Sequence, residues 1–202
     1  MVLGDALIAN GDPRGQMFAL QASPHGEPRR GEDRPRNLVR RYWWVWLGEL
    51  ARALVRNGCT WQRGLLERVT VGKQDAPHTA YAASRGHREL CALDTVIARS
   101  CHPADLATFL GGLVRAPRKL VMAGHQLFDE LALRKQTLGI RVLVFEPSWN
   151  TSLRAFEDVA ALLPAVEEIE LARPRYAIPE VLQVMQDIER ELPHLFPALR
   201  RS

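Results

Sequence analysis

Two apolar, β-branched runs, Leu120–Ala123 and Ile140–Phe145, constrain this chain most, because each has the length and continuity of a strand buried on both faces. Between them, Leu127, Phe128, Leu131 and Leu138 mark one face of a helix over 126–138, and ELALRKQ supplies good helix formers. Gly139 is placed to cap it. The same rhythm continues. A helix over 152–163 begins at Thr151 or Ser152, a strand is expected over 166–171, and a last helix over 179–192 has Pro179 in its first turn. Strand–helix alternation of this kind predicts an α/β fold: a β-α-β-α-β-α C-terminal part with a parallel or mixed sheet, preceded by a helical N-terminal segment.

Upstream the character changes. Residues 1–36 are rich in Gly, Pro, Asp and Arg and read as a flexible leader. Residues 37–116 read as a helical, Trp-bearing segment, 117–195 as the α/β part and 196–202 as a tail. Within LVRRYWWVWLGELARALVRN, Trp43, Trp46, Leu47, Leu50, Ala53 and Leu54 fall at helical spacing. Trp43, Trp44 and Trp46 cannot all face one side, so one is expected at the surface. A second short helix is expected over 61–69, a loop over 71–86 and a helix from Ala104. The segment 90–98 fits strand and helix equally.

Composition narrows the function classes. With 47% hydrophobic and 25% charged residues in 202, a soluble globular domain is expected, and no apolar run reaches the roughly 18 residues of a membrane span. The first residues lack a Sec-type signal, so a cytoplasmic location, or delivery by a specialised bacterial secretion system, is expected. Three widely spaced cysteines, Cys59, Cys91 and Cys101, fit a reducing compartment, and without CxxC or HxxxH no metal site is expected. The pairs Glu167-Glu168 and Glu189/Glu191 read as solvent-facing.

Three readings of function follow from named residues. In the first, the strand, the turn Ala123-Gly124-His125, the helix and a strand ending in Glu146 form a Rossmann-like unit that binds a nucleotide or anion. Gly124 would lie at the phosphate and Glu146, 22 residues on, at a ribose. Bulky His-Gln-Leu-Phe after Gly124 replaces the usual glycines, which leaves the helix N-terminus as the phosphate site. No residue pattern names a cofactor.

In the second, Arg29, Arg30, Arg34, Arg36, Arg40 and Arg41 run into Tyr42-Trp43-Trp44, with Trp46 and Trp61 beyond. Arginines beside aromatics suit phosphates and stacked bases, so Arg40, Arg41 and Trp44 are candidate nucleic-acid contacts. Charge leans the same way, with 15 basic against 10 acidic side chains in residues 1–104 and 12 against 13 in 105–202. ELARALVRNGCTWQRGLLERV is also arranged like a helix-turn-helix, with its glycine one position late.

The third rests on a family. His125, Asp129 and Val144-Phe145-Glu146-Pro147-Ser148 resemble the histidine-to-glutamate portion of YopJ-type acetyltransferases, bacterial effectors with a cysteine-protease-like fold. The resemblance covers about 40 of the 202 residues. It implies His125 as base and Glu146 as its orienting partner, serving a cysteine that acetylates Ser, Thr or Lys from acetyl-CoA. It also implies strand, not helix, after His125. The family's cysteine follows the glutamate, and here none follows Cys101. The resemblance therefore implies a catalytically incomplete relative, with His125 and Glu146 vestigial, that acts by binding a protein partner.

Overall fold

The computed structural model describes residues 3–22, 34–72, 75–147, 151, 153–172, 179–196 and 199. The chain opens with helices α1 (Leu3–Ala9) and α2 (Pro13–Ala22), joined at a turn where Gly11 adopts φ 67°. They touch so closely that a Cβ on Gly15 would lie 2.6 Å from the Ile8 amide nitrogen. Met17 and Leu20 enter the main core. The flexible leader expected over 1–36 is thus corrected for 3–22, where apolar residues at helical spacing sit ahead of the Pro- and Arg-rich stretch. Residues 23–33 lie outside the described ones.

Helix α3 (Pro35–Leu47) starts on proline, whose fixed φ suits a first helical position. It buries Leu38, Trp43, Trp46 and Leu47 and leaves Trp44 54% exposed, so the three tryptophans do divide between core and surface. After α4 (Leu50–Ala53) and a single turn at Arg56–Gly58 come β1 (Thr60–Gln62) and β2 (Leu65–Thr70). The helix expected over 61–69 is therefore a hairpin. Arg63 and Gly64 take φ of 50° and 74°, the left-handed pair that a tight two-residue hairpin turn requires.

The remaining elements are α5 (His78–Ala82), β3 (Thr95–Ala98), α6 (Pro103–Gly112), β4 (Lys119–Ala123), α7 (Gln126–Arg134), β5 (Val142–Glu146), α8 (Leu153–Ala160), β6 (Glu168–Leu171) and α9 (Pro179–Leu195). Helix α7 ends earlier than its apolar pattern suggests. Lys135 turns left-handed at φ 51°, and the Lys135 and Gln136 amides close back on the carbonyls of Ala132 and Leu131. Gly139 lies in the extended approach to β5 and caps no helix.

The six strands among the described residues join one sheet in chain order, β1-β2-β3-β4-β5-β6. Only the β1–β2 pair is antiparallel. Strands β1–β3 come from the segment read as helical, so the sheet runs across the boundary placed at 116/117. Along one row of partners, Arg68, Thr95, Lys119, Val142 and Glu168, the positions advance by 27, 24, 23 and 26 residues. Each βα unit adds beside the previous one, a structural repeat with no matching repeat in sequence. Right-handed crossovers that always step in one direction put their helices on one side. The helices from α4 to α9 indeed pack against one another in order.

The core lies between those helices and the inward row Val69, Val96, Leu120, Leu143 and Ile169. It includes a trio of buried rings, Phe128, Phe145 and Phe156, with centroids 5.0 to 5.6 Å apart. The opposite sheet face carries a small separate cluster, Val121, Val142 and Val144 with Ile97 and Ala172, that no described helical residue joins. No helix among the described residues is long and apolar enough to cross a membrane.

Candidate functional site

Parallel α/β sheets gather chemistry at the carboxyl ends of their strands. Here that edge holds Arg99 after β3, Gly124 and His125 after β4, and Glu146 at the end of β5. The pairing of Ala123 with Glu146, and the Gly124 amide donating to the Glu146 carbonyl at 3.1 Å, bring His125 and Glu146 to neighbouring positions. Their side chains take separate paths. The Glu146 carboxylate faces the guanidinium of Arg99 at 3.6 Å, and the buried His125 Nδ1 makes no hydrogen bond to a described residue. Glu146 therefore does not orient His125 through that nitrogen. The segment after His125 is helix α7, where the acetyltransferase resemblance implied strand.

The dinucleotide features are equally altered. Gly124 has the left-handed φ of 73°, but the Gln126 side chain folds back over it, with Oε1 2.4 Å from where a Cβ would stand. Strand order never reverses, so the sheet has the parallel βαβ units of a Rossmann-like domain without the crevice that a reversal opens. A hollow of about 240 Å³ does lie beside the turn, lined by Arg99, Cys101, Met122, Gln126 and Leu127 among others.

Cys101 borders that hollow in company no spacing rule flagged. His78 Nδ1 lies 2.5 Å from Asp105 Oδ1, and Cys101 is hydrogen-bonded with Tyr81. Burial, with the Asp105 charge adding to it, pushes the Cys101 thiol up to about 12. At neutral pH it stays protonated, the wrong state for a nucleophile. Burial likewise raises Cys59 to about 11. No group of three or more His, Cys, Asp or Glu among the described residues is placed to hold a metal ion.

The charge balance is different in a second groove, beside β1. Between α2, α3 and the start of β1 lies a groove of about 960 Å³. Arg34, Arg36, Arg40 and Arg56 line it, with Asn37, Asn57, Gln21 and Thr60, and no carboxylate is among its described lining residues. Arg36 and Arg40 are four residues apart on α3 and so share a face. Trp61 forms part of the wall. It is only 7% exposed, its ring lies 5.2 Å from that of Trp46, and its indole Nε1–H has no partner among the described residues. Gln21 secures this wall by donating to the Trp61 carbonyl at 2.7 Å.

A second hollow, about 380 Å³, adjoins the first through Arg56 and Asn57, which line both. Trp43, Trp44, Leu54 and Val55 complete it. Of the nucleic-acid candidates, Arg40 thus lies in the groove, Trp44 in the adjoining hollow, and Arg41 is exposed on α3 without lining either. Arg56 was not singled out by the sequence, because only folding returns it to the arginines before α3. The expected helix-turn-helix is absent from 49–69, which forms α4, a single turn and the β1–β2 hairpin.

No protein-family model matches the chain, and no curated protein or solved structure shows significant similarity to it.

Proposed function

We propose that this is an anion-binding α/β protein whose ligand, a phosphate-bearing molecule, lies in the groove between α2, α3 and β1. The observation that carries the reading is the gathering of Arg34, Arg36, Arg40 and Arg56 around one groove with no lining carboxylate among the described residues. Four guanidinium groups held together repel one another, and an anion relieves that repulsion while accepting charge-assisted hydrogen bonds. The indole N–H of Trp61, buried behind the wall of the groove, has no hydrogen-bond partner among the described residues. The strand-end site is less suited, since Arg99 there is already matched by Glu146 and His78 by Asp105.

Calorimetric titration with inorganic tripolyphosphate tests the reading. Binding at low salt is expected, and Arg40→Ala or Arg56→Ala weakens it by roughly tenfold or more, the worth of one hydrogen bond to a charged group. Arg99→Ala leaves it unchanged. No heat of binding, or a loss with Arg99→Ala alone, overturns the assignment.

A further inference from the structure

We infer that the ligand of the arginine groove is a single-stranded nucleic acid, its phosphates along Arg34, Arg36, Arg40 and Arg56 and a base stacked on Trp44. This rests on the anion-binding reading and adds the class of ligand. The two hollows share Arg56 and Asn57 in their walls, so the aromatic wall lies directly beside the arginines. Trp44 is 54% exposed beside the buried Trp43, and Leu54 and Val55 line the same hollow. A simple inorganic anion has no use for that second hollow. A chain of phosphates carrying flat rings uses both, and stacking on an exposed indole tolerates any base. Asn37 and Asn57 add amide groups that donate and accept, as base edges and sugars require. A duplex fits less well, because its bases are already stacked on one another and would have to leave the stack to reach Trp44.

Fluorescence anisotropy with the full chain and a labelled oligo-dT of about 12 nucleotides, within the span one binding surface covers, is the test. Trp44→Ala is expected to weaken oligonucleotide binding about tenfold, and Trp44→Phe to retain most of it, because the phenyl ring still stacks. Tripolyphosphate affinity stays the same in both variants. The slope of log K against log salt is expected near roughly −3 for four phosphates on a single strand, and Arg40→Ala with Arg56→Ala makes it shallower by about 1.4. If Trp44→Ala leaves the oligonucleotide affinity unchanged, or a duplex binds more tightly than the single strand, the nucleic-acid assignment falls. Tripolyphosphate binding that still depends on Arg40 then leaves the anion site standing. If neither probe binds, both fall together.

Discussion

Arg14 and Glu89 meet as an ion pair in the interior, 7% and 1% exposed, and so tie helix α2 to the turn that precedes β3. Asp12 holds the other side of the Arg14 guanidinium, and His87 and Arg88 both reach Glu89. The network fixes the N-terminal hairpin on the sheet and, through it, one wall of the arginine groove.

Removing one partner weakens the network but leaves the other charge with its remaining partners. Glu89→Ala, which leaves Arg14 paired with Asp12, is expected to cost about 1.5–3 kcal/mol of unfolding free energy, measured by urea denaturation. Replacing Arg14 and Glu89 together should cost less than the sum of the single changes, as for groups that act on each other.

The same network sets an acid limit. The hydrogen bond from Arg14 holds the Asp12 carboxyl below its ordinary value. Burial alone would raise Glu89, but hydrogen bonds from His87 and Arg88 bring it net downward. A carboxylate whose folded pKa is depressed adds stability that is fully present above its unfolded value, about 4, and lost as pH falls through the folded one. The urea midpoint is expected to drop below about pH 4, and Asp12→Asn should reduce that drop. An unchanged acid profile in Asp12→Asn contradicts the assignment.

Phe145 sits between Phe128 and Phe156 with no solvent exposure. Phe145→Ala removes both ring contacts and leaves a cavity, at a cost of about 3–5 kcal/mol. Phe145→Leu is expected to cost clearly less, and thermal unfolding of the two variants checks the order.

Among the cysteines, Cys91 is exposed, whereas Cys59 and Cys101 are held as protonated thiols by burial. A disulfide reagent at neutral pH is expected to modify Cys91 first, with the other two reacting only on unfolding. Mass mapping of the labelled peptides reads the order directly.

What the sequence showed depended on range. Strands β4 and β5 were legible because Leu120–Ala123 and Val142–Phe145 are apolar on both faces, a local property. The β1–β2 hairpin was not, since Trp61, Leu65, Leu66 and Val69 also satisfy a helical period and the decision lies in the left-handed backbone at Arg63-Gly64. The buried role of Arg14 was hidden because its partner Glu89 is 75 residues away. For the candidate sites, the strand-end placement of His125 and Glu146 was readable, and the claim of Arg99 on Glu146 was not. Arg40 and Trp44 stood out by composition. Their division between two joined hollows, and the return of Arg56 beside them, are products of tertiary folding.

The most direct test of the central claim follows the indole N–H resonance of Trp61 in a 15N-labelled chain titrated with inorganic tripolyphosphate. This resonance and the amides of Arg36, Arg40 and Asn57 are expected to shift together and saturate, while those of Gly124 and His125 stay still. Saturating shifts at Gly124 and His125, with Trp61 unmoved, would place the anion at the strand ends and contradict it.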